Sequence, residues 1–313
     1  MGSKLTLTYD SDSADDGTGA QLQRIFGIYA ISKLLKIGYL HSGIHKLIIH
    51  SLDPFQSDAE LYEYLKKVNS KFALPSNDSS QDEKSMTYMV DQLTISKLAR
   101  FLIQSLLTNQ KILLKIRNPY GVVEKFPRSY LHVQKYFSFQ EDQRRASEKK
   151  RIVLHVRRGS NGADLLPGEL SPRMLPNSYY LSTLDRIIRD YCHEGDTIEL
   201  VIITDVPKED STYRPIQSQV GLWSNEPRLL EGTVTIKGES FSEFHYDFLT
   251  KFSVIHGGDP IAAIETMQLA DFLVMSRSSF SYIGGVLNEF GKVFYPPLFW
   301  HNPLPTWIQM EEN

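Results

Sequence analysis

The chain has 313 residues, with 34 Lys and Arg against 37 Asp and Glu for a formal net charge of -3. That balance excludes a global positive field able to draw nucleic acid or anionic lipid without sequence preference, so any anion site must be local. One cysteine, Cys192, excludes an intrachain disulfide, a cysteine-based zinc cluster and a redox pair.

The length suits two domains of ordinary size. No apolar run reaches the roughly 18 residues of a membrane span. The longest candidate, "IFGIYAISKLLKIGYL", is broken by Lys33 and Lys36 and reads as an amphipathic helix. The start "MGSKLTLTYD" carries no basic-then-apolar leader, so the expected setting is the cytoplasm, or the soluble part of a Golgi or membrane-anchored enzyme whose anchor has been removed.

In chain order, "KLTLTY" alternates at period two and predicts a strand, the acidic "DSDSADDGTGA" a loop, and "QLQRIFGIYAISKLLKIGY" a helix. "HKLIIH" is expected as a strand, "DAELYEYLKKV" and "QLTISKLARFLIQSLL" as helices, and "KILLKI" as a strand. The polar "LPSNDSSQDEKS" lacks periodicity and reads as a surface loop; Asn77 inside it opens a glycosylation sequon, a pattern common by chance. Composition turns polar near residues 138–150, and a second alternating series follows. Its strands are "RIVLHV", "TIELVII", "DFLVM" and "KVFY", and its helices include "SYYLSTLDRIIRDY" and "FSYIGGVLNEF". The expected architecture is α/β, with Rossmann-like domains over residues 1–145 and 146–313. In such sheets ligands sit at the carboxyl ends of the strands.

Three loops follow strands. The first, Asp16-Gly17-Thr18-Gly19-Ala20-Gln21, couples glycine to a helix N-terminus; it suits an anion or sugar hydroxyls, or simply a tight turn. The second is "RIVLHVRRGSNG". Strand alternation puts His155 and Arg157 on one face and Arg158 on the other. An arginine at a strand end can make two-toothed contacts to phosphate or carboxylate, or a structural salt bridge. The third, Ser276-Arg277-Ser278-Ser279-Phe280-Ser281, opens a helix after a buried strand, and its hydroxyls can cap that helix or line a phosphate.

Together these stretches resemble the GDP-fucose-dependent fucosyltransferases, the group containing α1,2- and α1,6-fucosyltransferases and the protein O-fucosyltransferases. Gly17-Thr18-Gly19-Ala20-Gln21-Leu22 is similar to the amino-terminal glycine loop, His155-Val156-Arg157-Arg158-Gly159 to the His-x-Arg-Arg motif, Thr204-Asp205-Val206-Pro207 to the Thr-Asp-Asp-Pro step, and Ser278-Ser279-Phe280-Ser281 to the Ser/Thr-Phe-Ser motif. Ser160 stands where several relatives have Asp, and Val206 where the second Asp would be. The resemblance implies a GT-B architecture of two facing Rossmann-like domains, with the acceptor side on the first and the nucleotide sugar held mainly by the second. It implies no metal and no cofactor beyond the GDP-fucose substrate, with a glycan or glycoprotein as acceptor. Arg157 would contact the donor β-phosphate, and Gly17, Gly19, His155, Arg158, Asp205, Ser278, Ser279, Phe280 and Ser281 would help hold the nucleotide sugar.

Inverting transfer needs a group to take the acceptor proton, and Asp16, Asp164 and Glu169 are the candidate carboxylates. Two rivals remain open. Asp10-Ser11-Asp12 spells the Asp-x-Asp of metal-dependent glycosyltransferases, a hard-cation oxygen site, and a degenerate transferase fold could bind a glycan or nucleotide without turnover. His41 and His45 stand at His-x₃-His spacing, but Ser42 occupies the place of a zinc protease's Glu, so both read as ordinary loop histidines.

Overall fold

The computed structural model describes residues 4–13, 16–47, 57–77, 85–108, 110–138, 149–157, 175–204, 233–236, 239–242, 253–256 and 259–311. The chain divides into two units, one of Met1–Ile49 with Phe55–Phe137, the other of His50–Pro54 with Ser138–Asn313. Each carries its own all-parallel sheet, so the fold class is α/β as the alternating pattern indicates.

In the first unit, β1 (Leu5–Tyr9) leads through the glycine loop into α1 (Thr18–Leu35). Lys36 ends α1 in the left-handed conformation, φ 54°, and β2 (Gly38–Tyr39) follows at once. The second strand is therefore not "HKLIIH": residues 45–47 are in no strand, and 48–50 lie outside the described residues. Gly38 is required where it stands, because a Cβ there would collide with Thr6 on the neighbouring strand. Asn77 accepts from the Tyr39 backbone N–H at 2.5 Å, so its carboxamide serves as a partner for β2.

Next come α2 (Asp58–Lys71), β3 (Met86–Gln92), α3 (Ile95–Leu107), β4 (Ile112–Asn118), α4 (Tyr120–Val123) and α5 (Leu131–Tyr136). The serine Ser57 caps α2 and the threonine Thr94 caps α3, each accepting from the N–H three residues on. Sheet order is β2-β1-β4-β3, so the chain crosses from one edge at β2 to the other at β3 and returns inward to β4, beside β1. On β4 the buried side chains Ile112, Leu114 and Ile116 alternate, the period of a strand covered more fully on one face.

The second unit opens with β5 (Lys149–Val156), followed by α6 (Asn177–Tyr191), β6 (Thr197–Thr204), the antiparallel hairpin β7 (Thr233–Ile236) and β8 (Glu239–Ser242), and β9 (Ser253–His256). It closes with α7 (Pro260–Gln268), β10 (Phe272–Val274), α8 (Ser279–Leu287), β11 (Lys292–Tyr295) and β12 (Ile308–Gln309). The order β12-β11-β10-β5-β6-β9 is the doubly wound Rossmann order: from β5 the sheet grows through β6 to β9, then restarts on the other side at β10. The last five residues of β5 are all buried, as expected of a parallel strand covered on both faces. Ile152, Leu154, Ile202, Val274 and Phe294 form the core there with Tyr180, Leu184 and Ile187 of α6.

The turn beyond α8 is held by Asn288, whose amide donates to the Met267 and Ala270 carbonyls at 2.9 and 2.8 Å and whose oxygen accepts from Gly291 N–H at 2.7 Å. Gly284 lets α8 lie directly on α7, since a Cβ there would stand 2.6 Å from Met267 Cβ. Gly284→Ala is therefore expected to lose about 1–3 kcal/mol in urea unfolding by overpacking this contact, despite the gain in helix propensity.

Candidate functional site

The winding reversal in the second unit lies between β5 and β10, and two of the motif stretches end on those strands. Residues Phe272, Leu273 and Val274 pair with Ile152, Val153 and Leu154, so the two chains leave the sheet side by side at its carboxyl edge. There His155 Nδ1 and Ser276 Oγ are 2.6 Å apart, and the His155 and Phe280 rings lie 5.6 Å centre to centre. A separation of 121 residues in sequence is thus closed by one hydrogen bond.

Burial, together with the nearby Arg157 charge, drives the His155 pKa down to about 3. The imidazole is neutral at physiological pH, so it adds no positive charge beside Arg157, which is half-buried just past β5. Met275, at the end of β10, has its carbonyl bound by the Tyr179 hydroxyl at 3.0 Å, which ties the strand end to α6.

The serine turn divides its work. Ser278 caps α8, accepting from Phe280 N–H at 3.3 Å. Ser281 donates to the Ser276 and Ser278 carbonyls, each at 3.1 Å, and so braces the turn from inside. Ser279 is half-buried and its hydroxyl has no hydrogen bond among the described residues, which leaves it as the hydroxyl of the turn available to a ligand. Arg277, read in the sequence only as part of the turn, is buried and donates from Nε to the Pro297 carbonyl at 2.7 Å. It couples this turn to the segment after β11. Arg158, Asp164, Glu169 and Asp205 lie outside the described residues.

In the first unit Asp16 is engaged on both oxygens. Arg24 Nη2 donates to Oδ2 at 2.6 Å and Gly17 N–H to Oδ1 at 2.9 Å. Gln21 fastens the same loop, donating to the carbonyls of Asp16 and Lys46 at 2.7 and 2.6 Å. Gly17 sits at the N-cap of α1 with no side-chain cap, and Gly19 is buried within the first turn. The loop is thus pinned from below, with Asp16 serving as its anchor.

Asp10 and Asp12 do not act as a pair. Asp10 is buried and bonded to Ser13, whereas Asp12 is exposed and turned toward His45 and Lys115. Among the described residues no group of three or more His, Cys, Asp or Glu side chains is disposed to hold a metal. Nor is any helix there long and apolar enough to cross a membrane.

No family model and no curated protein matches the chain. Among solved structures it is similar to the E. coli heptosyltransferase WaaC with ADP-2-deoxy-2-fluoro heptose, at 10% identity and TM-score 0.39 over 99% of this chain and 93% of that one. It is also similar to a Listeria monocytogenes protein described as a UDP-N-acetylglucosamine 2-epimerase, at 8% identity and TM-score 0.31 over 93% of this chain and 78% of that one.

The buried neutral histidine makes stability depend on pH. The folded state takes up this proton only near pH 3, while an unfolded histidine does so near its ordinary 6.5. Between these values the unfolded state binds more protons, so the contribution is whole above about pH 6.5 and is lost as pH falls toward 3. His155→Gln should flatten the fall in melting temperature over that window, followed by circular dichroism.

Proposed function

We propose that the chain is an inverting, metal-independent glycosyltransferase of GT-B type that moves fucose from GDP-fucose to a hydroxyl of a glycan or protein. The observation that carries this reading is the meeting of the His-x-Arg-Arg strand end and the serine turn at the winding reversal of the second unit, through His155 and Ser276 at 2.6 Å. That is where an open α/β sheet binds its ligand, and the residues gathered there suit a diphosphate.

Breaking a sugar–diphosphate bond builds negative charge on the leaving oxygen. A guanidinium fixed at a strand end stabilises that charge more in the transition state than in the ground state. Arg157 has this role, the Ser279 hydroxyl and the N-terminal N–H groups of α8 supply neutral donors, and neutral His155 orients the turn without adding charge. The acceptor oxygen attacks the anomeric carbon from the side opposite the departing diphosphate, which inverts the centre. With Asp10 and Asp12 turned to different partners, the Asp-x-Asp stretch does not offer the paired oxygens a bridging cation needs.

Three outcomes test this reading. GDP should raise the melting temperature more than UDP, CMP or ADP at equal concentration, because binding to the native state alone stabilises it; a larger shift with UDP would move the donor to another nucleotide sugar, and none would remove the reading. Arg157→Ala should lower donor turnover by about a thousandfold, as for arginines that meet developing phosphoryl charge, and Arg157→Lys should restore little of it. Turnover in EDTA should match that in its absence, and loss on chelation with recovery on Mn²⁺ would contradict the metal-free mechanism.

A further inference from the structure

The segment joining β11 to β12 leaves the sheet of the second unit at the same carboxyl edge as the serine turn, one strand away, because β10 and β11 are parallel neighbours. Phe299 and His301 stay beside the end of β11, where the Tyr295 hydroxyl meets both of their carbonyls. Two further contacts tie the segment to α8 and its turn. Tyr282, in the first turn of α8, donates to the Asn302 carbonyl at 2.8 Å and has its ring 5.4 Å from that of His301, and Arg277 Nε holds the Pro297 carbonyl at 2.7 Å. Between these fixed points Leu298 is exposed and has φ 50°, the left-handed region that a residue with a Cβ seldom occupies. Its neighbours impose that turn, since its own side chain is in solvent.

The turn presents Trp300. This residue is 48% exposed, yet the one polar atom of its ring points inward: Nε1–H donates to Nε2 of the buried His301 at 3.0 Å. A tryptophan at a water boundary ordinarily buries its apolar body and leaves the N–H wet. Here that order is reversed, and apolar ring surface faces solvent. The ring is also fixed, with Phe299 edge-on at 4.7 Å and His301 at 5.9 Å between centres, and His301 in turn packs on Phe299 at 5.1 Å. An aromatic surface already held in place loses little freedom when a flat group covers it, while both surfaces shed water.

We propose that Trp300 is the stacking platform for the purine base of the donor nucleotide. This rests on the glycosyltransferase reading, which puts the diphosphate at the ends of β5 and β10, and it deepens that reading by assigning a residue to the base. Every part of the assignment lies within the second unit. The contacts through Tyr282 and Arg277 fix the Trp300 segment to the turn that opens α8, so a nucleotide whose phosphates meet that turn has the indole along the same edge. A base stacked on a ring is held by its face, so the platform favours the larger purine over a pyrimidine and leaves the choice of guanine over adenine to groups that meet the base edge.

Nucleotide binding to the full chain tests this, followed by melting temperature and by tryptophan fluorescence. GDP should stabilise the wild type and quench its fluorescence, whereas pyrophosphate should stabilise it without quenching. Trp300→Ala should stay folded, bind pyrophosphate as before and bind GDP about tenfold or more weakly, the loss expected for one base stack. Trp300→Phe should keep most of the GDP affinity and lose the quench, which assigns the signal to Trp300 rather than to Trp223 or the buried Trp307. GDP affinity of folded Trp300→Ala within about twofold of wild type would overturn the inference and leave the donor reading standing. So would equal weakening of GDP and pyrophosphate, or a full quench in Trp300→Phe. A loss confined to GDP-fucose, with GDP unchanged, would put the sugar on the indole and overturn it as well. A wild-type protein that binds neither GDP nor pyrophosphate removes the donor reading, and the inference with it.

Discussion

The parallel pairing of β5 with β10 is the constraint on which the strand-end cluster of the second unit depends. Their backbone ladder fixes where each strand leaves the sheet, and the core of Leu154, Val274, Phe294 and the α6 side chains fixes the ladder. Because the winding reverses at this pair, the chain runs on from β5 to β6 on one side and from β10 to β11 on the other, the arrangement at which open α/β sheets bind ligands. His155 and Ser276 are buried polar side chains at these two strand ends, and their hydrogen bond joins the arginine strand end to the helix that the serines open. Burial keeps His155 neutral, so the bond is compatible with a positive Arg157 two residues on.

A chain of net charge -3 can gather an anion only by such local means. The cluster proposed for this in the second unit sets Arg157 at a strand end beside the first turn of α8, and contacts on the far side of that turn hold it in place. Ser281 braces the turn, Ser278 caps the helix, Tyr179 holds the Met275 carbonyl and Arg277 holds Pro297. The first unit follows the same plan with a different content. Its central strands are β1 and β4, Asp16 and Gln21 pin the loop that follows β1, and Ser11 and Asp12 meet His45 from the loop after β2.

Much of this was readable from residue order, for physical reasons that differ by element. β1, β4, β5, β10 and β11 are apolar stretches bounded by turn residues or helices, and their patterns survive in isolation. β2 did not show, because it is two residues long and its place depends on the left-handed turn at Lys36 and on Asn77 from another loop. β3 carries exposed Met86 and Met89 on an edge, so it has neither the alternation nor the apolar run of a buried strand. In the site, the motif stretches could be found one by one, but the bond joining His155 to Ser276 could not, since it spans 121 residues. The same holds for His45, whose partners lie 33 and 34 residues away, and for Asp16, where an acidic loop residue gives no sign of the guanidinium beneath it.

Hydrogen exchange of the backbone amides with and without GDP tests the central claim most directly, because it reports where the nucleotide acts rather than whether it binds. Protection should concentrate in peptides covering Leu154 to Arg157 and Met275 to Ser281, the two strand ends and the first turn of α8. Protection confined to peptides away from both stretches, with these exchanging as in the free protein, would contradict the placement of a diphosphate at this edge.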